Sequence, residues 1–589
     1  MRSVFLQICV ASLLLVQVGA ASAQDQKDQP QLRRPVAMVL AGNHLLVANQ
    51  QSGTISVIDP SKGTVQSEIK VGQTLSDLVL LPDGQALLAL SDSQGQLIGL
   101  RSKPDLFEPT FHLDVGSSPT SLMVSHDGTT CSIAQKWAHW LTFVGLPSNQ
   151  HSQPRILCRL DLPFAPGKQW LSPDGKILIV ADAFGGDLAI VDYPGRKLLS
   201  VRRLEGHEIG GMATMPDGKS ILFSHLLMDP NVSTEHEHIF WGQVMGNVLR
   251  AVTVDELLKA PAPLQSAPVH HWALYVIGEA NQGAGDMGSL AYFPDGRLIV
   301  ALSGVNQVAI RRSETDGFFR VDVGADPTAI ALAPDGRTAY VANTMDDSIS
   351  VVDVKRLEVK TTISLGPSPA LTEARRGEVL FHDAHLSLDG WYSCSSCHVD
   401  GHTCGLLNDN HTDGSFGTPK RVLSLLGAVD TGPWAWNGSS STLESQVRLS
   451  MISTMDGKPA EATPATVNAI AAYLRTLQPA PGLDVARGTV NTSAVERGRH
   501  LFESLDCVHC HRPPTYTSSR TFDVGLQDVA GLTHFNPPSL RGVSQLPSFF
   551  HDNRATSLRD VLVKYKHPDG QTHLTDQELN DLLAFLRAI

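Results

Sequence analysis

Apolar and polar residues alternate in short runs through the first two-thirds of the chain. The segment "TAYVANTMDDSISVVDV" at 338–354 shows the pattern, with two alternating runs separated by a polar turn. A period of two predicts half-buried β-strands, and the turn between two such runs predicts an antiparallel pair. The N-terminal region is therefore predicted to be all-β.

This pattern occurs seven times between residues 36 and 365. A degenerate copy, "LAGNHLLVANQQSGTISVID", comes first, near Gly42. Each of the other six begins with an Asp-Gly turn: Pro82-Asp83-Gly84, His126-Asp127-Gly128, Pro173-Asp174-Gly175, Pro216-Asp217-Gly218, Pro294-Asp295-Gly296 and Pro334-Asp335-Gly336. Most intervals are 40–47 residues, the length of a four-stranded propeller blade. We expect an all-β, seven-bladed β-propeller over residues 24–366.

The fifth interval is longer, at 78 residues, and its excess falls around 225–285. Five histidines occur there: His225, His236, His238, His270 and His271. A metal site is conceivable, but the spacing matches no ligand motif. An insertion loop with surface histidines is the favoured interpretation.

Helical periodicity replaces the alternation after "LGPSPA" at 365–370. Two units then follow in the same order, with "QPAPG" at 478–482 between them. Each unit contains Arg-Gly-x-x-Leu-Phe, then Cys-x-x-Cys-His, then Ser-Leu-x-Gly, and ends in an apolar helical segment. The order indicates an internal duplication, and we expect two domains at 371–480 and 491–589.

Each unit carries one Cys-x-x-Cys-His motif: Cys394, Cys397 and His398, then Cys507, Cys510 and His511. Two thiols on one helical turn reach the two vinyl groups of a haem, and the adjacent imidazole binds the iron. A redox dithiol would need a βαβ context, and a four-cysteine zinc site would leave both histidines unexplained. We predict two covalently bound haems c in a mainly α-helical tandem cytochrome c region, with proximal ligands His398 and His511.

Residues 1–23 have the pattern of a cleaved signal peptide. Arg2 precedes a short apolar run that ends in Ala21-Ser22-Ala23. A membrane anchor is the alternative, but the run is short, and no later segment has about 18 uninterrupted apolar residues. We therefore expect cleavage after Ala23, a periplasmic protein and no membrane span. The formal net charge of −13 argues against nucleic acid as a partner.

Methionine is scarce in the haem region. Met451 and Met455 are the only ones there, and none follows residue 455. Mono-haem electron carriers often use Met as the second axial ligand. The second haem therefore has no Met ligand from its own unit, which points away from a high-potential electron carrier.

Two resemblances to known families add to this interpretation. "AYVANTMDDSISVVDV" resembles the YVTN family of bacterial β-propeller repeats, and the likeness covers roughly 36–365. "RGEVLFHDAHLSLDGWYSCSSCH", "GTPKRVLSLLGAVDTGPWAWNG" and "PPSLRGVSQLPSFFHDNRATSLRDVLVKY" resemble the bacterial dihaem cytochrome c peroxidase family, including its MauG-like branch, over about 371–589. A fold does not fix a function, so the propeller likeness says little about chemistry.

The second resemblance implies specific site residues. Trp436 matches the tryptophan between the haems, Gln446 the distal glutamine, and Asp456 the distal acid, where peroxidases of the family have Glu. Tyr565 matches the distal ligand of the second haem, with His567 as its rival.

The distal side of the first haem is less defined by the sequence. His402 and His411 lie in the loop after the first motif, where family peroxidases can carry a displaceable His. Neither aligns with that position, so we expect an open or openable site.

The resemblance further implies a peroxide-dependent oxidoreductase with hydrogen peroxide as oxidant. It also implies Ca²⁺ between the haem domains. The partner would be a small electron-donor protein, a cytochrome or a cupredoxin, or else a protein substrate, with the propeller as a docking or substrate platform. The alternative is a non-peroxidatic dihaem electron-transfer protein with the propeller as a binding module.

Overall fold

The computed structural model describes residues 27–103, 106–147, 152–259, 274–568 and 574–589. The predicted signal peptide, its cleavage site, and His270 and His271 lie outside these ranges. Among the described residues, no helix is both long and apolar enough to cross a membrane.

The N-terminal part is a seven-bladed β-propeller, which confirms the predicted architecture. Each blade is an antiparallel sheet of four consecutive strands. The first strands of neighbouring blades lie side by side in a closed ring around the axis, with blade 1 beside blade 7. The strands of blades 1 to 7, in order, are Pro35–Ala41, His44–Asn49, Thr54–Asp59 and Thr64–Lys70; Asp77–Leu80, Ala86–Ser91, Gln96–Lys103 and Leu106–Asp114; Pro119–Val124, Thr130–Gln135, Trp140–Gly145 and Arg155–Asp161; Pro166–Leu171, Ile177–Asp182, Asp187–Asp192 and Lys197–Arg203; His207–Thr214, Ser220–Met228, Met245–Thr253 and Leu274–Val276; Met287–Tyr292, Leu298–Leu302, Gln307–Arg311 and Phe319–Asp322; Pro327–Leu332, Thr338–Asn343, Ser348–Asp353 and Glu358–Ser364.

The Asp-Gly turns connect the first and second strands of the blades. In blade 2, Gly84 has φ +65°, a conformation that glycine adopts without strain. The carboxylate of Asp83 accepts the backbone N–H of Gln85 at 2.9 Å. Each turn thus reverses the chain and satisfies its own backbone donors, which is why the motif recurs at blade intervals.

A buried ion pair supports the closure of the ring. Arg33 and Glu68 have fully buried side chains, with a 2.9 Å contact between Nη2 and Oε2. The carboxylate of Asp347 in blade 7 accepts the backbone N–H groups of Arg33 and Arg34 at 3.1 and 2.6 Å. The segment that enters blade 1 is thereby held against blade 7.

The C-terminal part consists of two units built from short helices and loops. Its α-helices are Glu373–Phe381, Cys394–Cys397, Leu443–Leu449, Pro464–Leu474, Leu483–Arg487, Thr492–Ser504 and Asp576–Leu586. Its 3₁₀ turns are Ala384–Leu386, Leu388–Gly390, Val399–Gly401, His411–Asp413, Ala428–Asp430, Cys507–His509 and Val543–Gln545, its π-helices are Ser450–Thr454 and Asp560–Lys564, and its strands are Leu407–Asn408 with Lys420–Arg421 and Phe522–Asp523 with His534–Phe535.

The two units repeat one helix crossing. In each, the helix that carries Arg-Gly-x-x-Leu-Phe packs against the last helix of the unit. A Cβ on Gly377 would collide with the carbonyl oxygen of Ala469, and a Cβ on Gly498 would collide with that of Asp581. The glycine of the motif is therefore required for close helix contact in both units, which explains its repetition.

The long fifth interval forms part of blade 5 and reaches onto the first haem unit. A connection between the second and third strands of the blade contains the helix His236–Phe240, and the helix Val254–Leu258 follows the third strand. Ile239 belongs to the same apolar core as Phe381 and Met451 of the haem unit. The expectation of a loop with surface histidines is thus incomplete, because His225 is fully buried and the insertion packs against the haem region.

Candidate haem sites

The first Cys-x-x-Cys-His motif lies at the wall of a cavity of about 290 Å³. Cys394 and Cys397 stand at opposite ends of one helical turn. The turn is capped reciprocally: Ser393 Oγ accepts the N–H of Ser395 at 2.9 Å, and Ser396 Oγ accepts the N–H of Ser393 at 2.8 Å. This capping box fixes the turn, so both thiols and His398 border the same cavity.

Side chains of the propeller contact this motif. The hydroxyl of Ser396 donates to the buried carboxylate of Asp286, which immediately precedes blade 6. His207 of blade 5 donates from Nε2 to the carbonyl oxygen of Ser396 at 2.8 Å. A 2.5 Å ion pair between Lys136 and Asp400 adds a contact just after the motif. The attachment turn is therefore positioned by side chains of three blades.

The protonation states of the motif suit haem attachment. Burial lowers the pKa of His398 to about 4, so its imidazole is neutral at pH 7, the form that binds iron. Burial raises the pKa of the Cys394 thiol to about 12. A redox dithiol shows the opposite shift, a lowered thiol pKa. Across the described ranges, no three His, Cys, Asp or Glu side chains are arranged to hold a metal ion.

The second motif also has a buried, neutral imidazole, and here a hydrogen bond orients it. Cys507–His509 form a 3₁₀ turn, and the Nδ1–H of His511 donates to the carbonyl oxygen of Tyr516 at 3.1 Å. This bond fixes the tautomer and leaves Nε2 free as a ligand atom. Burial lowers the pKa of His511 to about 4. Two thiols beside a neutral imidazole fit a haem c in each unit, and in the second unit a hydrogen bond also orients the imidazole.

Trp436 joins the two units. Its indole N–H donates to the carbonyl oxygen of Arg421 at 2.8 Å, and its own carbonyl accepts the N–H of Asn536 at 2.7 Å. Its ring meets Phe535 and His551 of the second unit edge-on, with ring centres 6.4 and 6.3 Å apart. The side chain also borders the cavity of the first motif. It therefore connects the wall of the first cavity with the second unit.

Gln446 and Asp456 differ in their relation to the cavity. Gln446 borders the cavity, its Nε2 donates to Ser450 Oγ at 3.2 Å, and its buried Oε1 has no hydrogen-bond partner among the described residues. The carboxylate of Asp456 lies outside the cavity wall and accepts Nδ1–H of His236 from the propeller insertion at 2.5 Å.

The histidines after the first motif are held by other groups. His402 is buried, accepts the hydroxyl of Ser424 at 2.9 Å and packs edge-on against Trp137 and Phe184 of the propeller. His411 lies in a 3₁₀ turn with its ring 5.0 Å from that of Phe416.

The two candidate ligands of the second haem lie side by side. The rings of Tyr565 and His567 both meet Phe550 edge-on, at 5.5 and 5.6 Å. The hydroxyl of Tyr565 donates to the carbonyl oxygen of Arg554 at 2.5 Å. After burial, the nearby His567 is a further cause of the lowered pKa of His511. His567 therefore lies near His511 of the second motif, and Tyr565 packs on the same phenylalanine as His567.

Sequence reasoning missed Arg421, Asp286 and His207. Arg421 is 3% exposed and borders the cavity, and its guanidinium lies 5.4 Å from the ring centre of Trp436. Its Nε donates to the carbonyl oxygen of Phe550 at 3.1 Å. Asp286 and His207 lie in no recognisable motif, and Arg421 lies in the segment 417–438 that carries the family resemblance but was given no role by it. All three contact residues that are far away in the sequence.

Comparisons with known proteins agree with this assignment. The sequence model of the family described as di-haem cytochrome c peroxidase matches residues 372–504. Hydrazine synthase subunit gamma of Kuenenia stuttgartiensis is 27% identical over 281 residues, which is 38% of this chain and 79% of the relative. Methylamine utilization protein MauG of Methylophilus methylotrophus is 24% identical over 281 residues, with coverages of 37% and 82%. Cytochrome-c peroxidase IdrP1 of Pseudomonas sp. (strain SCT) is 24% identical over 300 residues, with coverages of 36% and 79%.

The family implies two c-type haems and an oxidoreductase, in agreement with the two motifs and the cavity beside the first. Behind the seven-bladed β-propeller, residues 372–504 match the family model of di-haem cytochrome c peroxidase, and the relatives similar to the C-terminal part include MauG proteins and cytochrome c peroxidases.

Proposed function

We propose that the protein is an exported, periplasmic dihaem oxidoreductase that uses hydrogen peroxide as oxidant at the first haem site. The observation that carries the proposal is the cavity beside Cys394 and Cys397, which a buried and unpartnered amide oxygen of Gln446 borders. A small polar oxidant would supply the missing hydrogen bond to that oxygen. When bound, the haems supply the redox chemistry, and the protein orients the reactants and handles protons.

Within this proposal, Gln446 orients the peroxide and Asp456 carries a proton between its two oxygens. Such general acid–base catalysis is worth about 10²–10⁴-fold. Asp456 must first leave His236, with which it pairs at 2.5 Å. Reduction of one peroxide to two waters consumes two electrons and two protons. Trp436, which joins the units, is the proposed route for the electrons.

The second site takes Tyr565 as its proposed distal ligand, with His567 as the rival. An anionic oxygen ligand favours oxidised iron and lowers the potential, whereas a histidine does so less strongly. To coordinate the iron, the hydroxyl of Tyr565 would have to give up its hydrogen bond to the carbonyl oxygen of Arg554. A Ca²⁺ ion between the haem domains belongs to the same proposal.

The propeller is proposed as a docking platform for a small electron-donor protein or a protein substrate. A second function is favoured by one specific observation, the 27% identity to hydrazine synthase subunit gamma, a relative whose name describes no peroxidase. Under that alternative the chain is a non-peroxidatic dihaem protein, and the propeller is a binding module.

Titration of the purified, full-length holoprotein with hydrogen peroxide, followed by optical and EPR spectroscopy, separates the two. The peroxidatic proposal expects a high-spin ferric haem that reacts with about one equivalent of peroxide. It also expects Gln446→Ala and Asp456→Asn to slow that reaction by about 10²-fold or more. Two low-spin haems that do not react with peroxide would refute it.

The same spectra test the second ligand. Tyr565→Phe should change the low-spin EPR signal of the second haem, whereas His567→Gln should leave it as in wild type. The reverse result would identify His567 as the distal ligand of the second haem.

A further inference from the structure

Arg421 is a buried cation without an anionic partner among the residues that the structure describes. Only 3% of its surface is exposed. Its Nε donates a hydrogen bond to the carbonyl oxygen of Phe550, and its buried Nη1 has no hydrogen-bond partner among the described residues. Burial lowers its pKa to about 10, so it is still charged at pH 7. An isolated buried charge costs several kcal/mol, and buried charges in proteins are normally paired.

The neighbouring residue shows how this chain treats a buried cation elsewhere. Lys420 is equally buried, at 8% side-chain exposure, and pairs with the carboxylates of both Asp413 and Asp528, the latter at 3.0 Å. Both cations border the same cavity. The contrast indicates that the partner of Arg421 is an anion inside the cavity that does not come from a protein side chain.

The chemistry of that anion follows from the geometry. A guanidinium with an open Nη1 offers a planar fork that matches a carboxylate. Cys394 and Cys397, the thiols that attach the first haem, border the same cavity. A haem carries two propionate carboxylates at the edge opposite its vinyl groups, and a propionate buried in this cavity needs a cation.

We propose that Arg421 binds a propionate of the first haem and that this ion pair, stacked on Trp436, sets the potential of that haem. A fixed positive charge beside a haem stabilises the reduced form and raises its potential. The proposal rests on haem attachment at Cys394 and Cys397 and is independent of peroxide as the oxidant.

The test uses the full-length holoprotein and three variants. Arg421→Gln removes the charge and Arg421→Lys keeps it. Arg475→Gln is the control, because it removes a charge from the same unit at a solvent-exposed pair with Glu444. Haem content per chain is measured by pyridine haemochrome, and both midpoint potentials are measured by spectroelectrochemical titration.

The expected result is two haems per chain in every variant, a lower potential of one haem in Arg421→Gln, and near wild-type potentials in Arg421→Lys and Arg475→Gln. Unchanged potentials in Arg421→Gln would overturn the proposal. If Arg421→Gln does not fold, the resonance Raman propionate bending band decides. It should shift in Arg421→Lys, since an ammonium cannot reproduce the planar fork, and an unshifted band would overturn the proposal.

Acetate distinguishes a haem propionate from a free anion in the cavity. If the propionate occupies Arg421, added acetate leaves the spectrum and potentials of the wild-type protein unchanged. If the site binds free carboxylates, acetate shifts the spectrum and the potentials of the wild-type protein but not those of Arg421→Gln. That result would overturn the propionate assignment.

Discussion

The propeller insertion completes the core of the first haem unit, so a substitution in the propeller should destabilise that unit. Ile239 lies on the insertion helix, is fully buried, and shares one apolar core with Phe381, Met451 and Met455. Ile239→Ala removes three carbon atoms. At about 0.8 kcal/mol per buried carbon this costs about 2.4 kcal/mol. The cavity left behind brings the range to about 2.4–5 kcal/mol, because fully packed surroundings collapse only partly.

Ile190→Ala is the matched control. Ile190 is also fully buried, but it lies in an apolar core formed by blades 4 and 5. In urea unfolding of the holoprotein, Soret absorbance reports the haem region and far-UV circular dichroism reports mainly the strands. Ile239→Ala should lower the urea midpoint of the Soret transition, and Ile190→Ala should lower mainly that of the strands.

A Soret midpoint in Ile239→Ala equal to that of wild type would refute the claim that the insertion belongs to the haem-unit core. An equal loss at the Soret band in both variants would show instead that the propeller and the haem region unfold as one cooperative unit.

Three further predictions concern stability, each measured by urea unfolding. Burial raises the pKa of Asp182 to about 7, against ~3.9 in the unfolded chain, so the folded state is favoured while this carboxyl is protonated. Its contribution to the free energy of unfolding is complete below pH ~4 and is lost as the pH rises through 7. Asp182→Asn should therefore gain up to about 4 kcal/mol over wild type at pH 8 and almost nothing at pH 4; equal gains at both would contradict this. Gly498→Ala should cost about 1–3 kcal/mol and broaden the Soret transition, because the new methyl group meets the carbonyl of the facing helix, and Gly377→Ala should do the same in the first unit. Lys420→Met, which leaves two buried carboxylates unpaired, should cost more than Asp528→Asn, which leaves Lys420 one partner; the opposite order would show that the cluster is not a paired network.

Local patterns made the architecture predictable. The Asp-Gly turns recur at blade intervals because each turn satisfies its own backbone, as Asp83 and Gly84 do. The glycine of Arg-Gly-x-x-Leu-Phe recurs because both helix crossings require it. Such requirements act within a few residues or repeat at a fixed period, so one sequence is enough to reveal them.

The positioning of the site was not predictable in this way. Asp286 and Ser396 are 110 residues apart, and Arg421 and Phe550 are 129 apart. No periodicity relates such pairs, and a single buried Arg or Asp has no local signature. The assignments of Gln446, Asp456 and Tyr565 came from a family resemblance and remain predictions.

The two haem units share one sequence plan but differ in their surroundings, and the propeller is the cause. In the first motif the intervening residues Ser395 and Ser396 are buried, and blades 5 and 6 hold Ser396. In the second motif the corresponding Val508 is half-buried and His509 is exposed. The residues between the two cysteines are therefore more accessible in the second motif than in the first. The propeller covers the first motif and excludes solvent from it, and electrostatic interactions are stronger where solvent is excluded. The difference in burial between the two duplicated motifs thus follows from which of them the propeller covers.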